Sequence, residues 1–350
     1  MLTIIRYFLF PISIFYGFVT LFRNKLYDWN IFKSTKFDMP IICIGNLVVG
    51  GAGKTPTTEY LVKLLSKYKI AILSRGYGRK TKGFIVADEH ATVQSIGDEP
   101  MQYYQKFKEV TVAVCENRVF GINQLKNTHD VILLDDAYQH RAVKAGFNLL
   151  LFEFDKLLKW QFLLPSGNLR EPFCGYDRAN AVLITKSPVA VSMVDQINIH
   201  KKINLTAEQR ISFSSIKYGQ LIGLKDGQVG PEINGQVIFL LTGIANPKPL
   251  VNYLQALSTT IIPFEYPDHH HFTNDDMNGL VKAFNELNGQ EKIIITTEKD
   301  SKRLLGGNFK DLLLNLPIFY LPIEIELAVK DKFTFDKNIL NYVASTERIN

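Results

Sequence analysis

The sequence predicts an α/β protein: a doubly wound parallel sheet, a second and smaller α/β domain joined to it by a two-stranded β hinge, and an N-terminal membrane-associated helix. Three observations carry this. Short apolar runs at residues 41–44, 69–73, 110–114, 131–134, 148–152 and 181–185 alternate with stretches of helical spacing, the pattern of a parallel sheet covered on both faces. After Glu208 the texture changes to a β-type alternation over 211–224 and a turn-rich tract over 225–235, and new strand-and-helix units start at Gln236. Residues 2–22 are dense in Leu, Ile, Phe and Tyr and hold one charged residue, Arg6. The expected division is 1–38, membrane-associated helix and linker; 39–210, the larger core; and 211–350, hinge strands and smaller domain. A chain of 350 residues, 46% hydrophobic, can bury that much core.

The N-terminal segment is long enough to cross a hydrocarbon layer of ~20 residues. Pro11 would kink it, and Thr3, Arg6, Ser13, Tyr16, Gly17 and Thr20 give it polar positions. A helix lying in one leaflet therefore competes with a true span, and the leaflet is the better fit. Arg23, Lys25, Lys33 and Lys36 follow against Asp28, which puts the rest of the chain on the cytoplasmic side. No small-residue cleavage site follows, against a secretory signal. The net charge of +6 suits an anionic substrate or membrane as readily as nucleic acid. Cys43, Cys115 and Cys174 are odd in number and far apart, so neither a disulfide framework nor a zinc site is expected.

The next element organises the chain. The strand at 41–44 runs into Val48-Val49-Gly50-Gly51-Ala52-Gly53-Lys54-Thr55, and residues 57–67 have helical spacing with Leu61, Leu64 and Leu65 on one face. This reads as a phosphate-binding loop, the mark of the P-loop NTPase fold. Glycines let backbone N–H groups point at phosphate oxygens, Lys54 reaches the β and γ phosphates, and the Thr55 hydroxyl ligates Mg²⁺. The full pattern wants glycine five residues before Gly53, where this chain has Val48, so Gly50 and Gly51 must supply the flexibility. Pro56 falls in the first helical turn, where proline is tolerated.

Further along, the turn at 74–80 carries Arg75 and Arg79 and is suited to gripping an anion. Asp98 and Glu99 are adjacent at a helix start, where they would bind metal, accept a proton or simply complement the helix dipole. The strand at 131–134 ends in Asp135 and Asp136, which places one of them beside the loop's Mg²⁺ at the ligand crevice of a parallel sheet. Gln139 and Arg141 follow, and a polar loop carries Arg170 and Glu171. In the second domain His269, His270 and His271 are consecutive, so they share no helical face and a zinc site is not expected; one histidine polarised by Asp268 is the better reading. A late strand within 318–327 is placed to pair with 211–224 as the hinge.

Seven segments taken in order resemble the tetraacyldisaccharide 4′-kinase family, the lipid A kinases of Gram-negative inner membranes. They are residues 49–56, 74–79, 97–100, 135–141, 164–171, 268–270 and 297–300, spread over most of the chain. Val48 in place of glycine is usual in that family, whereas Ala137-Tyr138 and Ser166 are mild departures from it. The resemblance implies transfer of the ATP γ-phosphoryl group to the 4′-hydroxyl of a tetraacylated glucosamine disaccharide 1-phosphate. It further implies that Asp98 takes the hydroxyl proton with His269 as its partner, that Thr55, Glu99, Asp135 and Asp136 hold Mg²⁺, and that Arg75, Arg79, Gln139, Arg141, Arg170 and Glu171 meet the substrate or phosphates. ATP and Mg²⁺ would be the cofactors. The lipid substrate and the cytoplasmic face of the inner membrane would be the partners, not nucleic acid. A membrane-recruited NTPase switch acting on a protein is the alternative; it would need the loop but no acceptor base.

Overall fold

The computed structural model describes residues 6, 8–206, 209–258, 260–268, 270–289, 291–306, 309–313 and 316–346. The first half runs α1 (Phe10–Asp28), β1 (Ile41–Asn46), α2 (Lys54–Leu64), β2 (Ile70–Ser74), β3 (Ile85–Val86), α3 (Val93–Ile96), α4 (Asp98–Lys106), β4 (Thr111–Val114), α5 (Arg118–Leu125), β5 (Val131–Asp135), β6 (Phe147–Glu153) and α6 (Phe154–Leu157). A 3-10 turn (Phe173–Arg178), β7 (Ala181–Thr185), α7 (Met193–Lys202), β8 (Arg210–Tyr218) and β9 (Ile222–Gly223) lead to the second unit. That unit holds β10 (Val237–Thr242), α8 (Lys248–Gln255), β11 (Ile261–Glu265), α9 (Asn274–Glu286), β12 (Lys292–Thr297), α10 (Glu298–Gly306), α11 (Lys310–Leu313) and β13 (Ile318–Leu321), before β14 (Ile323–Leu327) and α12 (Val329–Thr346).

Among the described residues the strands form two sheets, in the orders β14-β8-β7-β6-β1-β5-β2-β4-β3 and β11-β10-β12-β13-β9. The larger is parallel from β8 to β4 with an antiparallel strand on each edge. Its central strands are buried on both faces, as a doubly wound sheet requires. Alternate residues divide between two cores. Cys43, Leu73, Leu134 and Phe152 pack with Ile122 of α5 and Ile199 of α7 on one side, while Ile42, Ile72, Leu133 and Leu151 pack with Leu61 of α2, Tyr103 of α4 and Ile339 of α12 on the other. The smaller sheet repeats the scheme, with α9 (Met277, Leu280) on one face and α8 (Leu250, Leu254) on the other.

The expected pairing of the two hinge segments is present as β8 against β14, from Ile323 opposite Tyr218 to Leu327 opposite Ser214. The ribbon is not free-standing, because β8 also pairs with β7 and the same two segments continue as β9 and β13 in the small sheet. Residues 329–346, grouped by sequence with the second unit, return to the first: Phe335, Ile339 and Val343 of α12 are buried in the large-sheet core. Distance along the chain hid this return.

The α1 helix departs from the sequence expectation in one respect. It starts at Phe10 with Pro11 in its first turn, where a missing N–H costs nothing; Arg6 and Phe8 ahead of it are also helical and Leu9 is a turn, so the helix is interrupted just before the proline. Its buried residues are Ser13, Gly17, Thr20 and Asn24, a small and polar stripe, whereas Ile14, Phe15, Phe18 and Phe22 are more than half exposed. The usual amphipathic order is inverted. Among the described residues no helix is long and apolar enough to cross a membrane.

Candidate active site

The phosphate loop is set by what precedes and follows it. β1 delivers Asn46 wholly buried, and the turn brings α2 to start at Lys54. Gly50 and Gly53 have φ of 106° and 79°, and Gly53 caps α2 from the left-handed region, where a side chain would be strained. Val48 needs no such freedom. It is buried and bridges Leu169, while the Val49 N–H donates to the Asn168 carbonyl at 2.8 Å and the Arg170 N–H to the Leu47 carbonyl at 2.7 Å. The 163–171 segment thus braces the loop where the usual pattern has glycine. The unpaired N–H groups at the start of α2 favour phosphate. Lys54 Nζ lies 3.4 Å from Asn46 Oδ1 and 3.6 Å from Asp136 Oδ1, and Thr55 is half-buried one residue on.

The two acids at the end of β5 differ sharply. Asp135 is fully buried, and among the described residues neither carboxylate oxygen has a hydrogen-bond partner. Burial pushes its carboxyl up to about 8, and the charges of Glu99 and Asp136 push the same way. Burial also pushes Asp136 up, but Lys54 and Arg170 outweigh it and hold this carboxyl below its ordinary value. Arg170 Nη1 bonds both Asp136 oxygens, at 2.9 and 3.1 Å. The Asp136 backbone has φ 47°, an unusual conformation of the kind that clusters at functional sites. Asp135 is thus the acid without a hydrogen-bond partner among the described residues, and Asp136 the one paired with Lys54 and Arg170. Among the described residues no three His, Cys, Asp or Glu form a metal cage.

Asp98 begins α4 and faces the second unit. Arg303 on α10 donates to its Oδ2 from Nε at 3.0 Å and from Nη2 at 2.7 Å. Arg303 is itself fixed: Nη1 bonds Asp300 Oδ1 at 2.8 Å and the Gly243 carbonyl at 3.1 Å. Asp300 also accepts from the Gly243 N–H and the Thr297 hydroxyl. A buried charge is held only where it is paired in this way. His269, the expected partner of Asp98, lies outside the described residues. Its neighbour Asp268 is 3.7 Å from Lys299, and His270 is engaged by Asp276 at 2.9 Å and stacks on Tyr266. Behind the Asp98 contact, Lys106 joins Glu59 of α2 to Glu298 of α10, at 2.7 and 3.1 Å.

The expected substrate-facing residues divide into three groups. Arg75 is exposed, and its charge reaches Arg118 and His140. Arg170 joins the phosphate loop to Asp136, as described. The others brace the walls. Glu171, expected at the substrate, is wholly buried; it accepts from both Arg178 and Asn24 at 2.9 Å and from Gln139 at 3.0 Å, and Gln139 reaches the Asn46 carbonyl at 2.8 Å. Arg141 ties the core to α1 through Asp28 and the Asn24 carbonyl, both at 2.7 Å, and Arg79 holds Glu116 and the Gly83 carbonyl. Sequence reasoning missed Arg303, Arg178 and Asn46. Only Asn46 left a local signal, a polar residue ending a buried strand. Lys186, beside Gly51, was missed as well; burial lowers its ammonium, and it shares Glu153 with Lys156.

The family model described as tetraacyldisaccharide-1-P 4′-kinase matches residues 5–344. The tetraacyldisaccharide 4′-kinase of Flavobacterium johnsoniae is 47% identical over 98% of each chain. That of Bacteroides thetaiotaomicron is 42% identical over 97% of this chain and 94% of its own. A solved structure of LpxK from Aquifex aeolicus in complex with ATP is similar with a TM-score of 0.73 at 27% identity, covering 97% of this chain and 99% of that one. Sequence and fold agree over nearly the whole length, and so the chain belongs to the tetraacyldisaccharide-1-phosphate 4′-kinase family, an ATP-dependent kinase of the 4′ position of the lipid A precursor.

Proposed function

We propose that this chain transfers the γ-phosphoryl group of ATP to the 4′-hydroxyl of a tetraacylated disaccharide 1-phosphate, with Mg²⁺ as the second cofactor, at the cytoplasmic face of the inner membrane. The observation that carries the assignment of roles is Asp135, a buried carboxylate with no hydrogen-bond partner among the described residues, at the end of the strand next to β1 and within reach of the charges of Lys54 and Glu99. Thr55, Asp135 and Glu99 would hold the ion, which when bound neutralises charge on the phosphates. The other steps belong to the chain. Residues 48–55 seat the phosphates, Lys54 balances the charge that develops on the transferred group, and Asp136 with Arg170 keeps that lysine aimed. Asp98 orients the acceptor hydroxyl and takes its proton, with His269 as partner. Transfer to an alcohol is catalysed chiefly by such positioning, so no stronger base is required. Arg75 meets the anionic substrate from the open side, and closure of the two units excludes water that would otherwise take the phosphoryl group. The outward apolar face of α1 supports attachment to one leaflet, where the four acyl chains hold the substrate. Nucleic acid has no place in this reading.

The test supplies the purified chain with γ-labelled ATP and the lipid disaccharide. Label on the lipid, dependent on Asp98, is the expected result. ATP hydrolysis without labelled lipid would favour a membrane-recruited NTPase switch.

A further inference from the structure

Outside the phosphate site, exposed apolar side chains gather on several stretches, residues 189–197 among them, and two that lie far apart in sequence meet in the fold. One is the outer face of α1. The other is the segment after α6, where Leu158, Trp160 and Phe162 are 38%, 92% and 49% exposed. The two are continuous. The ring of Phe162 meets that of Phe10 edge-on at 5.9 Å, Leu163 presses so closely on α1 that a Cβ at Gly17 would lie 2.6 Å from it, and the Ser166 N–H donates to Ser13 Oγ at 2.9 Å.

We propose that residues 158–162 are a second membrane-inserting element, which together with α1 makes a two-point contact with the bilayer that holds the substrate. The proposal rests on the lipid-kinase reading. The occupant is a bilayer because the substrate's acyl chains keep it there, and because the segment has the chemistry of the interface. An indole combines an apolar ring with an N–H that seeks the headgroup level. Lys159 beside it is exposed and suited to anionic headgroups. A single surface helix fixes depth but leaves roll about its own axis; a second contact removes that freedom. The same segment reaches the active site, since Lys156 and Gln161 line a small cavity with Val49 and Gly50 of the phosphate loop. Insertion of Trp160 would therefore turn the phosphate loop toward the lipid and let the disaccharide be phosphorylated without leaving the bilayer.

The chain holds two tryptophans, Trp29 and Trp160, so Trp29→Phe makes Trp160 the sole reporter in the full-length protein. The probe is a vesicle of phosphatidylethanolamine and phosphatidylglycerol, with and without bromine on the acyl chains near the headgroup. The expected result is a blue shift of Trp160 emission and its quenching by the brominated lipid, on protein that floats with the vesicles. In parallel, Trp160→Glu should raise KM for lipid presented in vesicles about tenfold, with KM for ATP, thermal stability and turnover on detergent-dispersed lipid unchanged. Flotation with unshifted Trp160 emission, or full vesicle activity in Trp160→Glu, would overturn the second contact and leave the lipid-kinase reading intact. Absence of both flotation and lipid labelling would overturn both.

Discussion

The proposed nucleotide side and the proposed acceptor side of this site are built on different principles. The nucleotide side lies within the large sheet: β1, the phosphate loop, α2 and the end of β5 are joined by parallel pairing of Ile41–Ile44 with residues 132–135. The acceptor side is split, because Asp98 stands on the first unit while the guanidinium that holds it stands on the second. Electrostatics follow the division. Asp135 has no hydrogen-bond partner among the described residues, whereas Asp98 is held by a guanidinium from the smaller unit. The difference teaches that the two sides can be probed separately, since the residues proposed to seat ATP lie within one unit while Asp98 is held from the other.

The comparison can be broken from either end. The largest effect is expected on the acceptor side. Asp98→Ala and His269→Ala should each lower kcat by ~10²–10⁴, the usual contribution of a general base, with ATP affinity unchanged. Their double variant should be scarcely worse than the poorer single one, because groups acting as a unit are non-additive; multiplicative losses would mean separate roles. Lys54→Ala should lower transfer by ~10²–10³, while circular dichroism and thermal unfolding stay as in the parent. Full activity in that variant would remove the loop from the mechanism.

Asp135→Asn sharpens the contrast by separating stability from activity. It should lower transfer ~10²-fold, yet raise the Tm of the nucleotide-free protein, since it removes a buried carboxyl that lacks a partner; ~1 kcal/mol corresponds to about 2–4 °C in a domain of this size. A fall in Tm would show that Asp135 has structural work besides ligation. The smallest effect concerns pH. Burial, aided by Arg118, Arg75 and Arg23, pushes His140 down to about 4 from its ordinary 6.5. A histidine depressed on folding binds fewer protons in the native state. Its neutral form therefore contributes stability that is full above about 6.5 and lost as pH falls through about 4. His140→Gln should flatten the decline of Tm over that window, and an unchanged slope would count against it.

What the sequence disclosed follows the same divide. The phosphate loop, the strand ending at Asp135 and the βα alternation each occupy a few consecutive residues, and their chemistry is legible without the fold. Val48 in place of glycine became intelligible only through its pairing with Leu169, which no local pattern announces. The α1 segment read as apolar with scattered polar interruptions; the structure brings three of them, Ser13, Tyr16 and Gly17, against the 163–171 loop, and Asn24 beyond them joins the same face. Arg303 left no signal at all, since it lies three residues past Asp300 in an ordinary helical stretch and meets Asp98 only across the two units. Residues that act through distant partners are hidden from a linear reading.

The independence of the two halves is tested most directly at Arg303, by measuring ATP affinity and kcat on lipid side by side in Arg303→Met and Arg303→Lys. Arg303→Met should bind ATP within about twofold of the parent and lose at least ~tenfold in kcat, and Arg303→Lys should recover part of that loss, as expected of a group that orients Asp98 and never touches the nucleotide. A fall in ATP affinity that matches the fall in kcat would contradict it, and would mean that the nucleotide side also depends on the meeting of the two units.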